Sequence, residues 1–294
     1  MIVFDLLAIV APVFACAAIG WIWAKLGRSF DSETVTGLVV TIGTPCLVFD
    51  TLTRLELSLA AFGQMALATV LAVAGFGAVA VLWLWAARLG RAAFLPALMF
   101  PNAGNMGLPI ALFAFGDTGL ALAVAYFGVM VMLQFTIGVA IAAGSVSPRM
   151  LLTSPIVYAV AAAVLVIAFE APIPPVVGKT VNLLAGFTIP VMLIALGVSL
   201  AKLRISSLGD SLAIAVTRLL LGFGVGTAVA WGLGLPPVAA GVVIIQSSMP
   251  VAVFSYLFAL RYGRSPEALA GAVVLSTLLA FAFLPVVLWL VLPG

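Results

Sequence analysis

The stretch Phe100-Pro101-Asn102-Ala103-Gly104-Asn105-Met106-Gly107-Leu108-Pro109-Ile110 interrupts a long apolar run. Its two prolines, two glycines and two asparagines cannot continue an ordinary helix. Pro109 lacks the N–H that would bond the Asn105 carbonyl, and its ring collides with the preceding turn. Gly104 and Gly107 add backbone freedom. In lipid, irregular backbone survives only where it is buried in protein or lines a wet cavity. The side-chain amides of Asn102 and Asn105 can then satisfy freed backbone groups or a ligand.

A counterpart lies in the second half of the chain, Gln246-Ser247-Ser248-Met249-Pro250-Val251. Gln246 stands four residues before Pro250, as Asn105 stands four before Pro109. A broken helix exposes a half-helix N-terminus with roughly half a positive charge. Two such ends converging from opposite sides of a membrane form an anion site. Carbonyls at the other ends can hold a cation or a water. Packing kinks are the alternative, but breaks at corresponding places in two halves point to a binding site. Ser247 and Ser248 add hydroxyls to the second break.

Composition says why the surroundings are lipid. Of 294 residues, 65% are hydrophobic and 7% charged, against about 25% charged in soluble proteins. Spanning the hydrocarbon takes roughly 20 apolar residues per helix. Ten apolar stretches fit, at about 3–24, 34–53, 58–87, 92–116, 119–144, 154–170, 175–200, 210–233, 236–260 and 267–291. The first has no basic n-region and is too long for a signal peptide. Cys16 and Cys46 fall inside spans and read as buried free thiols. No histidine is present, which removes the commonest metal ligand and proton relay. No basic face suited to nucleic acid appears, and no metal site or organic cofactor is expected.

Charge sets the orientation. Lys25, Arg28, Arg88, Arg91, Arg149, Lys202, Arg204, Arg261 and Arg264 follow the odd-numbered spans, whereas the opposite side holds only Arg54 and Lys179. Basic loops stay cytoplasmic. Both termini of this multi-pass chain are therefore expected on the non-cytoplasmic side of an inner (plasma) membrane.

The halves also repeat. Pro12 pairs with Pro155, Pro45 with Pro190, Pro96 with Pro237 and Pro109 with Pro250, at offsets of 141 to 145 residues. Thr34-Val35 and Thr180-Val181 open corresponding spans. Five spans per half is an odd number, so the second copy must be inverted. The expected fold is an all-α membrane protein of two inverted five-helix repeats, residues 1–147 and 148–294. Inverted repeats are a common plan of secondary transporters, with substrate near the midplane.

Ionisable and polar residues at membrane depth add candidates. Arg218 is either a counter-charge for a carboxylate or a snorkelling or structurally paired cation. Asp50, four residues before Arg54, is either half of a surface ion pair or a protonation or cation site for coupling. Gln134 is polar within an apolar run and joins the substrate-binding candidates. Asp5, Asp117 and Glu170 fall at outer span ends and read as solvated. Trp21, Trp23, Trp83, Trp85 and Trp289 read as interfacial anchors.

Several strings resemble one family. Asn102-Ala103-Gly104-Asn105-Met106-Gly107-Leu108-Pro109 is similar to the fourth-span signature of the auxin efflux carriers. So are Met249-Pro250-Val251-Ala252-Val253 with Leu260-Arg261-Tyr262-Gly263, Pro190-Val191-Met192 with Leu196-Gly197-Val198-Ser199-Leu200, and Pro45-Cys46-Leu47-Val48-Phe49. The resemblance runs the full length. It implies broken, crossed spans 4 and 9, a scaffold of spans 1, 2, 6 and 7, and a moving domain of spans 3–5 and 8–10 working as an elevator. A homodimer through the scaffold helices is expected. The connection between spans 5 and 6 is short, so the long regulatory loop of large plant members is absent.

The function expected is secondary transport of a small organic anion, a mono- or dicarboxylate or an auxin-like acid, coupled to H⁺, to Na⁺ or to neither. Asn102, Asn105, Gln134, Arg218, Gln246, Ser247 and Ser248 would contact substrate or ion, and Pro109, Pro250, Gly104 and Gly107 would hold the breaks. Pro109→Ala is expected to abolish transport without preventing insertion. A passive anion channel is the alternative. Enzymatic chemistry lacks a nucleophile–base pair.

Overall fold

The computed structural model describes residues 2–54, 57–144, 154–203 and 207–292, and the side chains of all of these but 2–7. The expected repeat boundary at 147/148, Arg149 and Arg204 of the basic count, and the Asp5 side chain lie outside the described residues.

Among the described residues the chain is all helix, with a single isolated bridge between Pro101 and Val251. The helices are α1 (Ile2–Lys25), α2 (Ser32–Arg54), α3 (Leu59–Ala86), α4 (Arg91–Met99), α5 (Ala103–Ala143), α6 (Pro155–Ala168), α7 (Pro175–Lys202), α8 (Leu208–Gly232), α9 (Pro237–Ser247), α10 (Val253–Tyr262) and α11 (Pro266–Val291). Seven stretches are long and apolar enough to cross a membrane: Ala8–Lys25 of α1, and α2, α3, α5, α7, α8 and α11. α6 and α9 are apolar but shorter.

Three helices carry bends that the sequence explains. α5 has 41 residues, about 60 Å at 1.5 Å per residue, twice the hydrocarbon thickness. Gly116 divides it with φ 63° and ψ −155°, angles only glycine adopts readily. A Cβ on Gly119 would stand 2.6 Å from the Ala111 carbonyl oxygen, so the two limbs run back against each other. α2 widens to a π turn over Val39–Gly43 just before Pro45, and α7 bends at Phe187 just before Pro190. The bends touch, because a Cβ on Gly43 would lie 2.6 Å from Thr188 Oγ1.

In two of the four proline pairs one member lies inside a helix and the other opens one. Pro12 lies inside α1, whereas Pro155 is the first residue of α6. Pro96 lies inside α4, whereas Pro237 opens α9. Proline is favoured at a first helical position, where its missing N–H has no partner to lose. Pro155 and Pro237 therefore start helices and bend nothing.

The helices sort into two packed groups. α1 lies along α7 so closely that a Cβ on Gly20 would stand 2.0 Å from the Ile194 carbonyl oxygen, and one on Gly197 1.9 Å from that of Ala17. α2 packs on α6 and α7. In the second group α8 packs on α11, α9 and α3, and α5 packs on α3 and α9. The polarity of the whole is that of a protein in lipid. Thr69, Arg218, Gln246, Ser247, Ser248 and Thr277 are wholly buried, while Leu82, Trp85, Leu183 and Trp231 are two-thirds or more exposed. Trp83 is partly buried against the core.

Candidate functional site

The two breaks meet. α4 ends at Met99 and α5 begins at Ala103; α9 ends at Ser247 and α10 begins at Val253. The irregular residues between them lie side by side at the Pro101–Val251 bridge, where the Asn102 N–H donates to the Pro250 carbonyl at 2.8 Å. Val251 N–H donates to Ser276 Oγ of α11 at 3.0 Å. Each freed backbone group so paired avoids the cost of lying unsatisfied in a dry interior.

The first break sits earlier than the sequence suggested. It spans residues 100–102, and the chain resumes at once in a π turn, Ala103–Gly107, whose Ala103 carbonyl accepts from the Leu108 N–H. Pro109 therefore follows a widened turn and does not interrupt the helix. Pro250, by contrast, lies in the second break itself. The π turn is the local response to a proline: shifting the bonding by one residue accommodates its missing donor.

The glycines act through space, not backbone freedom. A Cβ on Gly107 would fall 1.9 Å from Gln246 Oε1, and one on Gly104 2.8 Å from the Phe127 ring. Gly107 lets α9, and Gly104 the second limb of α5, approach the start of α5.

A cavity of about 90 Å³ lies between the crossing and the α1–α2–α6–α7 group, several times the roughly 10–15 Å³ one water needs. Pro101 to Asn105 and Ala252 to Phe254 form one wall, Thr36, Val39, Val40 and Thr44 of α2 another, and Met192, Ala195, Leu196 and Ser199 of α7 a third. Phe127, Met130, Val131, Gln134 and Phe135 of α5 close it, with Ile156 of α6. No Asp, Glu, Lys or Arg is among these lining residues.

The polar side chains lining this cavity are uncharged: Thr36, Thr44, Asn102, Asn105, Gln134 and Ser199. Asn102 Nδ2 and Gln134 Nε2 are buried without a hydrogen-bond partner among the described residues. The starts of α5 and α10 border the same space, and the first N–H groups of a helix have no intrahelical acceptor. Amide donors and two positive helix ends in an apolar chamber suit an anion with an apolar body.

The sequence candidates thus divide. Asn102, Asn105, Gln134 and Gly104 line the cavity, while Gln246, Ser247, Ser248 and Arg218 do not. These four are buried behind the crossing. Gln246 Nε2 donates to the Ala123 carbonyl at 3.4 Å, Ser248 Oγ to the Ile244 carbonyl at 2.7 Å, and Ser247 Oγ pairs with Tyr126 Oη at 3.0 Å. Arg218 donates to the carbonyls of Leu98 and Ser247. Asp50 lies between α2 and α7. Its Oδ2 accepts from Asn182 Nδ2 of α7 at 3.1 Å and from Arg54 Nε at 3.4 Å. Arg54 also reaches Asp117 at 3.7 Å, so Asp117 is ion-paired. Thr36, Thr44 and Ser199 of α2 and α7 line the cavity without having been candidates. Helical spacing alone marks them as ordinary interior hydroxyls, and only the tertiary packing turns them to the chamber.

An all-helical chain with several membrane-length apolar helices and an internal chamber lined by a few polar groups fits a multi-pass membrane transport protein. The family described as "Membrane transport protein" matches residues 5–147 and 141–290. A protein of Methanothermobacter thermautotrophicus named as an uncharacterized transporter is 24% identical over 294 residues, covering 95% of this chain and 96% of that relative. The chain belongs to this membrane transport family, that of the auxin efflux carriers and their PIN-like relatives.

Proposed function

We propose that this protein carries small organic anions, mono- or dicarboxylates, across the inner membrane by alternating access. The observation that supports this most is the convergence of Asn102, Gln134 and the starts of α5 and α10 on one uncharged cavity, with the Asn102 and Gln134 amide nitrogens buried and unpartnered among the described residues. A carboxylate accepts from all of these, and hydrogen bonds to a charged group are the stronger kind. The apolar walls from Phe127, Phe135, Met192 and Leu196 suit the carbon skeleton.

Counting α4 with the first limb of α5 as one span, the second limb as another, and α9 with α10 as a third gives ten passes in two inverted sets of five. Nine basic residues on one side orient both termini outward. The cavity then extends from the crossing toward the cytoplasmic ends of α2 and α7, where Thr36 and Ser199 lie. The opposite end is tied by Arg54 to Asp117. This is an inward-facing state, and an elevator-like shift of the α3–α5 and α8–α11 group against the α1–α2–α6–α7 scaffold would carry the crossing outward. Dimerisation through the scaffold belongs to the same reading.

The test is uptake by proteoliposomes of a panel of labelled carboxylates, with proton, sodium and voltage gradients imposed in turn. Saturable uptake with counterflow is expected for at least one acid. Conductance at channel-like rates, or no carboxylate uptake under any gradient, would overturn the proposal.

A further inference from the structure

Arg218 is wholly buried in α8, and its guanidinium touches three things. Nη1 donates to the Leu98 carbonyl in the last turn of α4, and Nη2 to the carbonyl of Ser247, the last residue of α9. Its face lies 4.5 Å from the centre of the Phe76 ring of α3. Nε has no hydrogen-bond partner among the described residues. Room for this fork is made by the residue one turn on: a Cβ at Gly222 would stand 2.1 Å from the Ser247 carbonyl oxygen and 2.6 Å from Nη2. Gly226, a further turn on, would meet Ser247 Cβ at 2.6 Å. Small residues in this register bring α8 against the end of α9.

The two carbonyls are not arbitrary acceptors. Helix C-termini leave their last carbonyls unsatisfied and concentrate roughly half a negative charge each. α4 and α9 bring two such ends together in a dry interior, where like partial charges repel strongly. In broken-helix transporters such carbonyl ends are where a cation is held. Here a planar guanidinium, with two parallel donors in fixed geometry, takes that place. The crossing is thereby divided: its negative ends face Arg218, and its positive ends face the cavity.

We infer that Arg218 is the resident cation of the crossing, a positioning residue that joins the C-terminal ends of α4 and α9 and so fixes the direction in which the starts of α5 and α10 point into the anion cavity. It acts through the backbone and does not contact substrate. The inference rests on the proposed anion site for its effect on transport, but not for its effect on the crossing itself.

Arg218→Met keeps length and removes charge, while Arg218→Lys keeps charge. In proteoliposomes the lysine variant is expected to retain measurable uptake, and the methionine variant to lose about tenfold or more, chiefly through a raised KM. Free guanidinium at low millimolar concentration should raise the melting temperature of purified Arg218→Ala, with no effect on the wild type, and should restore part of its uptake. The thermal shift needs no substrate, so it separates a failure of this inference from a failure of the anion proposal. Equal behaviour of the lysine and methionine variants, in uptake or in yield of folded protein, overturns the inference. So does a folded Arg218→Ala that guanidinium neither stabilises nor rescues.

Discussion

Asn102 and Gln134 line the cavity, and their amide nitrogens are buried with no hydrogen-bond partner among the described residues. Leaving a buried donor unpaired costs about 1–3 kcal/mol, and a ligand carboxylate removes that cost. Asn102→Ala and Gln134→Leu are each expected to raise the KM for carboxylate uptake in proteoliposomes by about tenfold, with the melting temperature of the purified protein no lower than that of the wild type. Asn102 and Asn105 were legible as candidates because polar residues at membrane depth are rare and costly. Gln246 looked equivalent by its spacing to proline, yet it turns to Ala123 behind the crossing. Spacing along a chain reports register, and register does not say which side of a crossing a residue faces.

At the scale of the helices, the start of α5 is where sequence and structure differ most usefully. A Cβ at Gly107 would land on the Gln246 carboxamide, so Gly107→Val is expected to separate α5 from α9, lowering both the melting temperature and uptake. Pro109 follows a π turn that already absorbs its missing N–H. Pro109→Ala is therefore expected to weaken uptake without abolishing it, a revision of the expectation drawn from sequence; retention of substantial uptake in the same assay decides between the two. The start of α2 shows a plainer device. Asp31 accepts from the N–H groups of Glu33 and Thr34 and from the Thr34 hydroxyl at 2.6 Å, and these bonds hold its carboxyl below the ordinary value. A lowered folded-state pKa means that the cap's contribution is fully present above about pH 4, the unfolded value, and is lost as pH falls through the folded one. The melting temperature of Asp31→Ala should thus lie below that of the wild type at neutral pH and converge with it in acid, whereas Asp31→Asn, which also caps, should stay close to the wild type.

At the scale of the whole molecule, the Arg54–Asp117 pair joins the end of α2 to the turn between the limbs of α5, across the two helix groups. Both side chains are about half exposed, so the pair is worth roughly 0.2–1 kcal/mol. If the groups move against each other, Arg54→Ala should shift the balance between their two positions by up to about fivefold, and exchange rates should lose part of their dependence on ionic strength. Counterflow measured across a salt series reads both effects. The sequence by itself determined that this chain lives in lipid, that it is helical, that its helices break within residues 100–109 and 246–251, and that it resembles the auxin efflux carriers. Those properties follow from composition and from what proline and glycine do to a local backbone, and neither depends on neighbours far along the chain. Only the tertiary structure decided that the breaks cross, that Asn102 and Gln134 share a chamber with hydroxyls of α2 and α7, and that Arg218 grips two helix ends behind it. Those contacts join residues more than a hundred positions apart in some cases, as from Leu98 to Arg218. The side of the crossing on which a group lies is set by packing in three dimensions, which no spacing along one chain encodes.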